Sequence, residues 1–166
     1  MTDEYLDLVN RQDEIIGKKL SSVVYAEGLS NFRVVNAFLV NMQGLLWIPR
    51  RSLNKRLFPG GLDMSMGGHV ESGETYEQAF KRELMEELNI KEDESVWKLL
   101  GYLTPQDGVS AFMKVYEISA DITPQYNHND FSESFWFSPV ELIKRIATGE
   151  SSKSDLPILV RKFYAS

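Results

Sequence analysis

The sequence predicts an α/β fold in which a mixed β-sheet is sandwiched between helices. Strand-like runs stand both before and after one central helix, which begins after Thr75. A later helix is predicted over 139–147, because it opens on a proline and continues with helical apolar spacing. Since each element must bury an apolar face, this order favours a sheet covered by helices on both sides. The 166 residues, 43% of them hydrophobic, suit a single domain over residues 1–166.

The predicted strands are short runs dominated by β-branched and aromatic residues. In chain order they are Tyr5 to Val9, Glu14 to Lys18, Arg33 to Val40, Leu45 to Arg51, Trp97 to Leu103 and Ser110 to Ile118. The third and fourth form a predicted hairpin over the sequence NMQG. The stretch 149–155, GESSKSD, is the nearest to a linker, and a short final helix follows it and ends near Tyr164.

The central helix carries three glutamates on one face. Thr75, followed three residues later by Gln78, fits a capping box, so the helix is expected to begin there. At about 100° per residue, Glu86 and Glu87 lie roughly 60° to one side and 40° to the other of Glu83. Like charges at this spacing, near the helix end where the dipole disfavours anions, destabilise the helix unless a cation offsets them.

Clustered carboxylates supply the hard oxygen ligands that Mg²⁺ or Mn²⁺ takes in proteins, and they leave positions for water and phosphates. The alternative for three glutamates alone is a solvated acidic face. Gly67 and Gly68, before the helix, let backbone approach a bound ion, and a tight turn explains them equally well. Glu74 and Arg82, eight residues apart, are expected to form an ion pair that holds the loop on the helix.

The stretch 68–90, GHVESGETYEQAFKRELMEELNI, resembles the Nudix box. The matching positions are Gly68, Glu74, Arg82, Glu83, Leu84, Glu86, Glu87 and Ile90. Asn89 departs from the pattern, which has a second glycine there, but asparagine tolerates the left-handed backbone expected after the helix. The resemblance implies a Nudix fold over about residues 3 to 147. It also implies a divalent metal bound by Glu83, Glu86, Glu87 and the carbonyl of Gly67, and attack of a metal-bound water on a diphosphate.

A basic segment precedes the acidic helix. Arg50, Arg51, Lys55 and Arg56 stand there in an otherwise acidic chain, and they could bind substrate phosphates opposite the metal. The alternative is a solvated loop. The segment is similar to the subset of Nudix proteins related to isopentenyl diphosphate isomerase, and this likeness implies that Arg51 and Lys55 contact a diphosphate.

The isomerase activity itself is not expected, because those enzymes use a cysteine where this chain has Gly67. Without a thiol there, no second acid/base group is available to protonate and deprotonate an alkene. His69 could touch a phosphate or the metal, or it could be a hydrogen-bonded loop residue. Many Nudix hydrolases use a further acidic residue on a loop beyond the box, and the candidates are Asp130, Glu133 and Glu117.

Composition argues against several classes of function. A formal net charge of −6 disfavours general binding to nucleic acid polymers or to an anionic membrane, and no apolar run approaches the length of a spanning helix. The N-terminal stretch MTDEYLDLVN lacks the pattern of a secretory signal, so a cytoplasmic location is expected. The absence of cysteine excludes disulfides, thiolate zinc sites and cysteine nucleophiles. The expected partner is a small diphosphate substrate, and a homodimer is left open.

The sequence therefore predicts a Mg²⁺- or Mn²⁺-dependent Nudix pyrophosphohydrolase acting on a small phosphorylated metabolite, such as a nucleoside diphosphate linked to another moiety. The predicted catalytic residues are Glu83, Glu86, Glu87, Arg82, Glu74 and Asp130, and the predicted substrate-binding residues are Arg51, Lys55 and His69. One alternative is a non-catalytic domain that binds a nucleotide or sugar nucleotide, against which the intact glutamate set argues. The other is an isomerase-like enzyme acting on prenyl diphosphates.

Overall fold

The computed structural model describes residues 3–165, which form eight strands and four α-helices. The elements are β1 (Tyr5–Val9), β2 (Ile15–Leu20), α1 (Ser21–Ala26), β3 (Arg33–Val40), β4 (Leu46–Arg51), β5 (Met66–His69), α2 (Tyr76–Leu88), β6 (Val96–Leu103), β7 (Phe112–Ser119), β8 (Phe131–Phe137), α3 (Pro139–Ala147) and α4 (Asp155–Phe163). Within residues 3–165, no helix has both the length and the apolar character that crossing a membrane requires.

Six of the strands form one mixed sheet. Its order is β6-β7-β3-β4-β8, and β5 also pairs with β3. Strands β3 and β7 run parallel, whereas the remaining neighbours in this sheet are antiparallel. Strands β1 and β2 form a separate antiparallel pair. The predicted mixed sheet is therefore confirmed.

Strand β3 connects two apolar cores on opposite faces of the sheet. Val35, Ala37 and Leu39 belong to the core shared with α2, whereas Phe38 belongs to the core shared with α3 and α4. This alternation follows from the two-residue period of a strand, which points successive side chains to opposite faces. The sheet is thus covered by helices on both sides, as the sequence predicts.

Three elements are absent from the sequence prediction. Strand β5 contains two adjacent glycines, which have low strand propensity. Strand β8 contains the polar run 132–134 directly after its first residue, and helix α1 is only six residues long. The predicted hairpin is also shorter than expected, since β3 and β4 pair only at Leu39↔Trp47 and Val40↔Leu46. On its other edge β4 pairs with β8 along its whole length, which places this unpredicted strand beside Arg50 and Arg51 of the basic segment.

The linker interpretation of 149–155 is wrong, because this stretch is hydrogen-bonded to the segment that leads into β5. The amide of Leu62 donates to the Ser151 carbonyl at 2.8 Å, and the amide of Lys153 donates to the Leu62 carbonyl at 2.9 Å. Helix α4 follows directly, and its Leu156 is fully buried in the core beneath the sheet.

Candidate active site

Helix α2 has the two caps that its sequence predicts. The Thr75 hydroxyl accepts a hydrogen bond from the Gln78 amide at 3.1 Å, and the Gln78 side chain accepts one from the Thr75 amide at 2.9 Å. At the other end, Asn89 has φ 54° and ψ 35°, the left-handed conformation expected where the box has glycine. Glu83, Glu86 and Glu87 therefore lie in the last turns of a helix with both ends fixed.

Strand β5 approaches this helix closely, and its glycines permit the approach. An ideal Cβ at Gly68 would lie 2.2 Å from Cδ of Glu83, and one at Gly67 would lie 2.6 Å from Oδ1 of Asn36. Both distances are far below the roughly 3.5–4.0 Å of a good carbon contact. The tight-turn alternative does not apply, because both glycines lie in a strand and neither has a positive φ.

Arg82 joins the loop before α2, strand β5 and the acidic face. Its Nε and Nη2 donate to the two carboxylate oxygens of Glu74 at 2.8 and 2.9 Å, so the predicted ion pair is present and bidentate. Nη2 also donates to the carbonyl of His69 at 2.9 Å. Nη1 donates to Glu83 at 2.8 Å and to Glu86 at 3.3 Å. A fork of this kind fixes orientation as well as charge.

Glu83 and Glu86 differ in burial although both contact Arg82. The Glu83 side chain is 13% exposed, whereas that of Glu86 is 59% exposed. Burial raises the pKa of Glu83 to about 7; the charge and hydrogen bond of Arg82 oppose this, and the charges of Glu86 and Asp130 add to it. The ionised form of Glu83 is therefore disfavoured despite the contact with Arg82, and a further positive charge would stabilise it.

Glu87 is the innermost of the three glutamates. It is buried, and the amide of Gly67 donates to its Oε1 at 2.9 Å. Burial raises the pKa of Glu87 well above its usual range, and the negative charges of Glu83, Asp63 and Asp130 raise it further against the lowering effect of the Gly67 amide. The acidic group is therefore Glu87 together with the three carboxylates whose charge opposes its ionisation, Glu83, Asp63 and Asp130.

The donor set of this group suits a hard divalent cation, because carboxylate oxygens are the preferred ligands of Mg²⁺ and Mn²⁺ and a cation would relieve the repulsion. Among residues 3–165, no three carboxylate or imidazole groups already form a metal cage. Arg82 instead holds Glu83 and Glu86. These contacts use Oε1 of Glu83 and Oε2 of Glu86, so an ion could bind the other oxygen of each carboxylate without displacing Arg82.

Asp63 is a member of this group that sequence reasoning missed. It is 3% exposed, and its Oδ2 accepts from Nη1 of Arg51 at 2.6 Å. The sequence does contain a signal, since Asp63 is the one carboxylate among apolar and small residues in GGLDMSMGG. Charged residues are rarely buried without a partner or a function.

The predicted phosphate-binding cations are engaged in ion pairs within the protein. Arg51 contacts Asp63, and Lys55 contacts Oδ1 of Asp130 at 2.5 Å with both side chains mostly buried. Asp130 lies directly before β8, where the Ser52 amide donates to its carbonyl at 3.0 Å. The structure thus brings Arg51, Lys55 and Asp130 to the acidic group, and their direct contact with a phosphate stays a prediction.

His69 is held by the protein through both ring nitrogens. Nε2 lies 2.7 Å from the Tyr25 hydroxyl, and Nδ1 lies 2.7 Å from Oε1 of Glu4. Its position is in strand β5 rather than in a loop, which corrects the expected location. These contacts favour the hydrogen-bonded alternative, so a phosphate or metal contact of His69 requires one of them to break.

The other two acidic candidates have partners outside the acidic group. Glu133 is on β8 rather than on a loop, and it contacts Arg50 at 2.8 Å with 54% of its side chain exposed. Glu117 accepts from the Tyr164 hydroxyl at 3.0 Å and pairs with Lys98. Asp130 is therefore the candidate beyond the box that the structure favours.

Comparison with known proteins identifies the family. The model of the NUDIX domain matches residues 30–156. An uncharacterized Nudix hydrolase from Nostoc is 60% identical over 164 residues, which cover 98% of this chain and 97% of that protein. A crystal structure of a protein from Deinococcus radiodurans superimposes with a TM-score of 0.92 at 52% identity, over 97% of this chain and 99% of that one.

A relative of lower sequence identity agrees with the resemblance to the isomerase subset. An isopentenyl-diphosphate Delta-isomerase from Kocuria rhizophila is 29% identical over 150 residues, which cover 87% of this chain and 83% of that protein. The capped glutamate helix, the glycine strand beneath it and the match over most of the chain agree with one another. The chain therefore belongs to the Nudix family, as a Nudix hydrolase.

Proposed function

We propose that this Nudix hydrolase cleaves a diphosphate linkage in a small phosphorylated metabolite, such as a nucleoside diphosphate linked to another moiety, with Mg²⁺ or Mn²⁺ as its cofactor. The observation that supports this most is the burial of Glu83 and Glu87 beside Asp63 and Asp130. Burial and neighbouring negative charge disfavour the ionisation of Glu83 and Glu87, and a divalent cation is the partner that suits such carboxylates best.

The residues that would hold the cation are Glu83, Glu86 and Glu87, together with the carbonyl of Gly67. A bound cation would lower the pKa of an attacking water and neutralise charge on the diphosphate oxygens. Arg82 keeps the glutamates oriented through its fork on Glu74. It acts as a positioning residue in this proposal.

Asp130 is the proposed proton acceptor from the attacking water. Its partner Lys55 lies in the basic segment, so a substrate phosphate would compete with Asp130 for the ammonium group. Phosphate binding at Lys55 would release Asp130 to accept a proton. Among residues 3–165, Arg51 donates through Nε and Nη1 to protein acceptors, and its Nη2 donates to none, which leaves that nitrogen for a phosphate oxygen.

The test is phosphate or monophosphate release from a panel of substrates with Mg²⁺, with Mn²⁺ and with EDTA. The panel should contain nucleoside diphosphates and their derivatives, sugar nucleotides, coenzyme A esters, dinucleoside polyphosphates and prenyl diphosphates. We expect turnover of at least one member that EDTA abolishes. Tight binding of a nucleotide without cleavage, in the presence of saturating metal, would instead support the non-catalytic alternative.

A further inference from the structure

Asp63 is a buried carboxylate with one oxygen held and the other unpaired. Oδ2 accepts from Arg51 at 2.6 Å, and the side chain is 4% exposed. Among residues 3–165, Oδ1 has no hydrogen-bond partner. The backbone is fixed as well, since the Asp63 amide donates to the Pro49 carbonyl at 3.0 Å. A buried carboxylate oxygen without a partner is costly, so such a group is retained where it serves another contact.

Backbone hydrogen bonds connect the segment that contains Asp63 to the segments that contain Glu87 and Asp130. Asp63 stands four residues before Gly67, whose amide donates to Glu87. The turn that carries Asp130 is tied to α2, because the Asn127 amide donates to the Glu87 carbonyl at 2.8 Å. The same turn is tied to the end of β4 through Ser52, the neighbour of the arginine that holds Asp63.

The ion pair with Arg51 accounts for only one oxygen of the Asp63 carboxylate. The other oxygen, Oδ1, stays buried without a partner among residues 3–165, and a bound cation would supply that partner.

Building on the function proposed above, we infer that Oδ1 of Asp63 is a further cation ligand of the active site, bound directly or through one water. In this role Arg51 is a positioning residue, which orients the carboxylate by holding Oδ2 and leaves Oδ1 for the ion. The ligand is a hard divalent cation and not a phosphate, because two anions would repel in a site of this depth.

The experiment compares Mn²⁺ binding to the wild type, Asp63→Asn and Asp155→Asn by titration calorimetry, without substrate. Asparagine keeps the size of Asp63 and an oxygen for Arg51, and removes the charge. Asp155 is the matched control, since it is also a buried aspartate but both of its oxygens accept hydrogen bonds from Ser110. We expect Asp63→Asn to raise the Kd for Mn²⁺ at least about tenfold, because one anionic ligand is lost. The control should leave the Kd within about twofold.

The outcomes separate this inference from the proposed function. Wild type that binds Mn²⁺ and cleaves a diphosphate, with an unchanged Kd in Asp63→Asn, overturns the role of Asp63 alone. Wild type that neither binds Mn²⁺ nor cleaves any diphosphate overturns the proposed function and, with it, this inference.

A second measurement uses the wild type and does not depend on the folding of a variant. A crystal of the wild type with Mn²⁺ should show an anomalous peak within about 2.0–2.6 Å of Oδ1 of Asp63 for a direct ligand, or within about 4.5 Å through a bridging water. Mn²⁺ bound only by the helix glutamates, farther than this from Asp63, contradicts the inference.

Discussion

Replacing Gly68 by alanine tests whether the close packing of Glu83 on strand β5 is what positions the carboxylates proposed to bind the metal. The added Cβ would lie 2.2 Å from Cδ, 2.2 Å from Oε1 and 2.6 Å from Cγ of Glu83. Because good contacts need roughly 3.5 Å, the Glu83 side chain must move by about 1 Å or more. The backbone itself accepts alanine, since Gly68 has no positive φ.

The expected magnitude follows from this displacement. A misplacement of about 1 Å in a catalytic group costs on the order of a hundredfold in rate. Overpacking of this kind costs about 1–3 kcal/mol in the free energy of unfolding, and the flexible end of Glu83 absorbs much of the strain. We therefore expect kcat to fall about a hundredfold while the protein stays folded.

The assay is kcat and KM for the preferred diphosphate at saturating Mg²⁺, together with Tm. Gly17→Ala is the matched control, because its Cβ meets no atom within 4 Å and its backbone is also free of positive φ. The control should keep both wild-type kcat and wild-type Tm. A Gly68→Ala variant with a near-normal kcat would refute the argument that this glycine exists to seat Glu83.

The remaining predictions concern charge in the same site. Glu86→Gln and Glu87→Gln should each lower kcat at least about a hundredfold at saturating Mg²⁺, because each removes a proposed metal ligand, whereas Glu77→Gln on the same helix should not. In EDTA, Tm should fall as the pH rises from about 4.5 to about 7. Because the pKa of Glu83 is raised, the folded protein keeps a proton on this carboxylate in that range, whereas the unfolded chain has lost it. A Tm that rises across this pH range would contradict the raised pKa of Glu83. Arg82→Ala should lower both kcat and Tm, because Arg82 holds the loop and the glutamates in place through Glu74. A loss of activity at an unchanged Tm would indicate that Arg82 takes part directly in catalysis. Incubation with isopentenyl diphosphate in deuterated water should give no labelled allylic product, because this chain has Gly67 where the isomerases have their cysteine. Deuterium in a recovered allylic product would support the isomerase alternative.

The features of helix α2 that depend on residues close together in the sequence were predictable. The capping box at Thr75, the left-handed Asn89 and the shared face of the three glutamates were all predictable. Each depends on residues within one or two turns of a helix, whose geometry is regular. The ion pair of Glu74 with Arg82 belongs to the same class, because it spans only eight residues.

Strand β3, a run of apolar and β-branched residues, was predictable from the sequence, whereas strand β5 was not. Strand β3 alternates between two cores and was found at its observed boundaries. Strand β5 has glycines at positions where side chains would otherwise indicate a strand. These glycines are needed because helix α2 packs closely on β5. Local preference is weak there, and pairing with β3 decides the conformation.

The sequence by itself determined the family and the shared face of the three glutamates, because the spacing of residues along one helix contains that information. Only the tertiary structure decided that Arg51 holds Asp63, that Lys55 holds Asp130 across 75 residues, and that His69 is bonded to Tyr25 and Glu4. These contacts follow from strand order and register, which bring distant segments together at the end of β4. No local pattern in the chain encodes them, because the two members of each pair lie on different elements whose relative placement is set by packing of the whole sheet.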